Sequence, residues 1–171
     1  MSNARTGFVT LASMRPIPSF CVALLLSSLP LAGCSRSETR QAEARAAIET
    51  TVRAYAEQLA AAYESQDATR LEGVATGREI TGLTRRLNDL AGEGRRLSTT
   101  LEEIVFEEID PYDATNATAR TLERWDLRVV HADSGTVLSE SLDQKNRVAY
   151  QLVRDRGRWL VMFRQLQQTV E

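Results

Sequence analysis

The sequence predicts an α+β fold, with helices in the first half of the chain and an antiparallel meander in the second. Two observations carry this prediction. Up to Leu90 the apolar residues recur every third or fourth position, and after Leu97 they recur every second position. The composition allows it: 171 residues with 43% hydrophobic side chains suffice for one buried core.

The first helix is predicted over residues 43–65. Ile48, Val52, Tyr55, Leu59 and Tyr63 form one stripe, and alanine, the best helix former, fills much of the remainder. Asp67 is placed to cap a short following helix that carries Leu71 and Val74. Thr76 and Glu79 have the spacing of a capping box. Behind them Ile80, Leu83, Leu87 and Leu90 make a second stripe, ended by Gly92 and Gly94.

Four strands follow. The first is predicted over Ser98–Asp110, with Ile104 and Phe106 on one side among glutamates. The second covers Ala117–His131: Thr121, Glu123, Trp125, Leu127 and Val129 face one way, and Arg120, Arg124 and Arg128 face the other. The third covers Asn146–Arg154, with Val148, Tyr150 and Leu152 alternating, while residues 136–140 fit either a hairpin extension or a loop. The fourth covers Arg158–Leu166 after the turn Asp155-Arg156-Gly157, with Trp159, Val161 and Phe163 alternating. One sheet face is therefore wet and one dry, and the long first helix is the natural cover for the dry one.

Composition excludes several functions. A formal charge of −2 argues against nucleic acid as the main partner, because phosphate binding needs a basic face. Two cysteines and one histidine cannot make a Cys/His zinc cage, and no acidic run has EF-hand spacing, so no metal and no cofactor is expected. There is no glycine-rich phosphate loop.

The N-terminus carries its own signal. Residues 17–31 are apolar and uncharged, with Arg15 just before them, the layout of a secretory signal. Met14-Arg15-Pro16 would open a more compact signal than Met1 does. The run ends in Leu31-Ala32-Gly33-Cys34, which resembles the lipobox of bacterial lipoproteins: an aliphatic residue, two small ones, then the cysteine that takes the lipid. The resemblance implies a signal peptide over 1–33, lipid attachment at Cys34 with palmitate-type acyl chains, a tether over 34–42 and a domain over 43–171. The protein would sit in the bacterial cell envelope, facing the periplasm or the exterior. Ser35 after the cysteine resembles the outer-membrane default where two membranes are present. Cleavage removes Arg5 and Arg15 and no acidic residue, taking the charge to −4. With Cys21 lost and Cys34 acylated, thiol chemistry is excluded.

From residue 43 to 167 the order of elements resembles the cone-shaped, cystatin-like fold of the nuclear transport factor and SnoaL-like group. There helices lie in the hollow of a curved sheet. A nearer resemblance is to the IMS domain of plastid division proteins. It rests on the alanine-rich helix with Tyr55 and Tyr63, on the stretch Leu71–Ile80, and on Tyr150–Arg154 followed by Gly157-Arg158-Trp159. The resemblance implies a tendency to bind peptides or small ligands and no single chemistry, because the fold hosts enzymes and binding modules alike.

Glu123, among the apolar residues of the second strand, is the outlier with chemical interest. A desolvated carboxylate could serve as the base of a small cyclase or isomerase, or it could pair with an arginine. In the enzymes of this fold an aspartate or histidine in the cone does such work, and no motif of theirs matches here. His131, at a strand end beside the Asp133–Gly135 turn, reads as a surface residue. Tyr55, Trp125, Tyr150 and Trp159 are candidates for lining a ligand cavity, or are simply core. The arginine row fits cross-strand ion pairing with Glu102, Glu107 and Glu108, or an anion groove. The expectation is a lipid-anchored binding or interaction domain without catalytic activity, partnered by the membrane and by an envelope protein or peptide.

Overall fold

The computed structural model describes residues 33–170, with side chains from Ser37 onward. The expected signal therefore lies outside the described residues save for Gly33, and the Cys34 side chain lies outside them too. The elements run α1 (Gly33–Ser65), a single 3-10 turn (Ala68–Leu71), α2 (Gly77–Gly92), β1 (Arg95–Asp110), β2 (Asn116–His131), β3 (Val137–Asp155) and β4 (Arg158–Val170). The strands form one antiparallel, curved sheet in the order β1-β2-β3-β4.

The α1 stripe points inward as its spacing requires. Ile48, Val52, Tyr55 and Leu59 are buried, and they meet Val148, Tyr150, Leu152, Trp159 and Val161 of the sheet in one core. Among the described residues, every buried core residue lies between Ile48 and Val161. A chain starting at residue 34 thus carries all of that core, which is what a domain needs to fold alone. Residues 34–42, expected as a tether, are the first turns of α1. They contain no glycine or proline, so the helix propagates back from the core-packed part at little cost per residue.

Asp67 caps the 3-10 turn as its position predicts, accepting a bond from the Thr69 N–H at 2.9 Å. The capping box at α2 does not form. Thr76 occupies the N-cap position without a side-chain bond, its hydroxyl is buried and unpartnered, and Glu79 turns into the core instead. The helix stops where Gly94 takes a φ of +69°, a conformation glycine reaches without a Cβ clash.

β3 begins at Val137, so residues 137–140 belong to a hairpin with β2. Two expected strand patterns depart from strict alternation. At the end of β2 Val130 is buried although alternation from Trp125 sends it outward, and the bulge beside it puts its extra residue, Leu138, in β3. In β4 the extra residue is Met162. Trp159 and Val161 face the core as expected, but Phe163 faces outward and Arg164 takes the inward place.

The turn between β1 and β2 is held by Asp113. Its carboxylate accepts bonds from the Thr115 N–H at 2.6 Å, the Asn116 N–H at 2.7 Å, the Thr115 hydroxyl at 3.0 Å and the Asn116 amide at 2.9 Å. Bonds to the Thr115 backbone and the Asn116 amide, then to the Thr115 hydroxyl, hold its pKa down at about 2. A depressed carboxylate pKa favours the fold fully above its unfolded value of about 4, and that support fades as pH falls toward about 2. Asp113→Ala is therefore expected to be less stable than wild type at neutral pH and to lose less further stability between those two pH values. Denaturant titrations across the acid range check this. Parallel stability curves for the two proteins would count against the assignment.

Candidate functional site

β2 sends Thr121, Glu123 and Trp125 to the same face, and that face is the core. Glu123 is fully buried, at 0% exposure. Its Oε1 accepts from the Thr121 hydroxyl at 2.8 Å and the Tyr150 hydroxyl at 2.5 Å. Its Oε2 accepts from the Trp125 indole N–H at 2.8 Å and the Arg164 guanidinium at 2.8 Å. An ionised carboxylate offers about four lone-pair sites, and all four are taken. Of the two readings of Glu123, the geometry is that of the arginine partner.

A second buried carboxylate stands on α2. Glu79 accepts from the Tyr55 hydroxyl at 2.8 Å and from Arg86 at 3.1 Å. The rings of Tyr55 and Tyr150 meet edge to face with centroids 5.8 Å apart. The two tyrosines thereby link the carboxylates into one chain from Arg86 through Glu79, Tyr55, Tyr150 and Glu123 to Arg164, tying α2 to α1 and α1 to three strands.

The electrostatics follow from this arrangement. Burial, then the neighbouring Glu79 carboxylate, push the Tyr55 phenol far above its usual range, and burial and Glu123 do the same to Tyr150. For Arg164, burial acts to discharge the guanidinium, but Tyr150 and Glu123 outweigh it and hold the group above its ordinary value. Both phenols stay protonated as donors and Arg164 stays charged. The two phenols and the guanidinium therefore act as fixed donors to the two carboxylates.

The four aromatic candidates separate. Tyr55, Tyr150 and Trp125 are core side chains whose polar atoms bond to buried carboxylates. Trp159 is also buried, but it borders an open groove of about 1070 Å³ between the first turns of α1 and the β1–β2 and β3–β4 turns. Arg40, Glu43, Thr51, Asp113, Arg158 and Gly73 contribute to its walls. Arg154 lies over the Trp159 ring, 5.9 Å from its centroid.

Glu79, Arg86 and Arg164 were not legible as partners. The Thr76–Glu79 spacing signals a cap, and alternation through β4 places Arg164 outside. A glutamate on the inward side of α2 was the one available clue.

The outer sheet face carries an ion-pair ladder. Arg120 meets Glu108 at 2.7 Å, Arg124 meets Asp143 at 2.8 Å and Glu103 at 3.4 Å, Arg128 meets Glu140 at 3.3 Å, and Arg147 meets Glu107 at 3.1 Å. The arginine row is matched by carboxylates, as cross-strand pairing expects, and forms no anion groove. His131 is exposed at the end of β2. Among the described residues no cluster of His, Cys, Asp or Glu could hold a metal ion, and no helix is long and apolar enough to cross a membrane.

No protein family profile and no curated protein matches the chain. Solved structures do. The intermembrane-space region of the chloroplast protein ARC6 superposes with a TM-score of 0.59 at 15% identity, over 71% of this chain and 95% of that one. The chain shares its fold with that region. A protein of unknown function from Mycobacterium tuberculosis, Rv3472, aligns over 69% of each chain at 16% identity with a TM-score of 0.45. The IMS-like architecture expected from the alanine-rich helix and the closing hairpin is thus found in the fold, with two helices against four strands.

Proposed function

We propose that the chain is a lipid-anchored, extracytoplasmic interaction domain without catalytic activity. The observation that carries the non-catalytic part is the saturation of Glu123. The one carboxylate that sequence reasoning offered as a base has no lone pair left for a substrate, and its neighbours are locked donors. A cyclase or isomerase built on Glu123 would first have to break this network.

The anchoring part rests on the lipobox, Leu31-Ala32-Gly33-Cys34, and on the polar turns of α1 that follow it. In this reading the lipid holds the start of α1 at the membrane surface. The groove beside Trp159 opens next to those turns and is the surface offered to an envelope protein or peptide. Ser35 fits sorting to an outer membrane where one exists. The ARC6 region is described as lying in an intermembrane space, a setting like the one proposed here.

Metabolic labelling with a fatty acid tests the anchor. Wild type is expected to take up label and sediment with membranes. Cys34→Ser is expected to remain unlabelled and to appear unprocessed or soluble. Equal labelling of both proteins would end the lipoprotein reading.

A further inference from the structure

We infer that the free edge of β4 pairs with the same edge of a second copy of this chain, antiparallel about a two-fold axis, joining two four-stranded sheets into one of eight strands. The sheet has two edges, and the chain treats them differently. The β1 edge is guarded by exposed Glu102, Glu103, Glu107 and Glu108. It is also covered from α1, where Arg53 donates to the Ile104 carbonyl at 3.4 Å and lies 4.9 Å from the centre of the Phe106 ring.

The β4 edge is closed only at its beginning. There the segment before α2 adds to the sheet through Thr76 N–H to the Val161 carbonyl and Val161 N–H to the Val74 carbonyl, both at 2.9 Å. From Phe163 to Val170 the strand pairs with β3 alone among the described residues. That leaves eight residues, roughly 26 Å of strand at about 3.3 Å per residue, with one row of backbone donors and acceptors facing water. A bulge at Gln167 divides this edge without guarding it by charge.

The occupant follows from the chemistry of the run. Residues 165–170 read Gln-Leu-Gln-Gln-Thr-Val and carry no charge, and Arg164 is turned inward onto Glu123. Two such edges can therefore face each other with no like-charge pair. Each glutamine amide both donates and accepts, so Gln165, Gln167 and Gln168 are complementary to themselves. A charged partner strand would find nothing to pair with. Phe163 and Leu166, 40% and 51% exposed, supply apolar surface on the two sides of the strand. Because β1 is barred by its glutamates and by Arg53, β4 cannot propagate onto the opposite edge of another copy, and the assembly closes at two.

The test uses the chain from residue 34 with Cys34→Ser, examined by light scattering and sedimentation across a concentration series. Wild type is expected to approach twice the monomer mass at high concentration and to dissociate on dilution. Gln165→Lys combined with Gln168→Lys places like charges across the two-fold and is expected to weaken association by about ten-fold or more. Its melting temperature, extrapolated to low concentration, should match wild type because both side chains are exposed. Mixing it with the Gln165→Glu, Gln168→Glu protein should restore the dimer. A wild type that stays monomeric at its solubility limit overturns the proposal, and so does a dimer that the lysine pair leaves intact or that the mixture fails to restore.

Discussion

Glu123→Gln is expected to lower the unfolding free energy by about 3–5 kcal/mol, the usual cost of breaking a buried ion pair from one side. The size follows from what is left behind. Gln keeps the shape of the side chain but replaces one accepting oxygen with an amino group. That group would face either Thr121 and Tyr150, or Trp125 and Arg164, all of which present donors at 2.5–2.8 Å. Arg164, with only 21% of its side chain exposed, would keep its charge and lose its counter-ion. Urea denaturation of the two proteins at neutral pH measures the effect. A carboxylate strained for catalysis would give the opposite sign, with the neutral isostere more stable, so an increase in stability would refute the structural role.

Leu59→Ala is expected to cost about 2–5 kcal/mol, the sum of a lost transfer term and a residual cavity. Leu59 lies in the α1 stripe within the core. Arg124→Ala, on the outer face, should cost far less, since its ion pairs with Glu103 and Asp143 stand in solvent. The contrast is the measurement: matched denaturation curves for both variants. Equal losses would mean that α1 does not pack in the hollow of the sheet.

The parts legible in the sequence are those set by a single local period. The α1 stripe, the α2 stripe, the inward row Val148-Tyr150-Leu152 and the inward place of Glu123 all follow from counting by 3.6 or by two. The parts that were not legible depend on long-range partners. Glu79 has the spacing of a cap, yet Tyr55, 24 residues earlier, and Arg86 draw it into the core. Alternation cannot foresee the bulges at Met162 and beside Val130, because each answers to the neighbouring strand and not to its own sequence. Helical propagation back through residues 34–42 was hidden by their polar composition, which reads as a tether when no helix is known to start behind it.

The extra residue at Met162 has a further meaning for how this chain tolerates change. Between Trp159 and Arg164 the strand spans five steps, an odd number, yet both side chains reach the same side of the sheet. Loss of Met162 would restore strict alternation and leave four steps, so Trp159 and Arg164 would still share a side. Pairing the same residues without the bulge would instead swing the aromatic ring of Phe163 toward the interior and send the guanidinium of Arg164 to solvent. The Glu123 carboxylate would then lose the cation that pairs with it. The neutrality of the interior is therefore written in the arithmetic of an edge strand, which can lose its extra residue more safely than it can flatten around it.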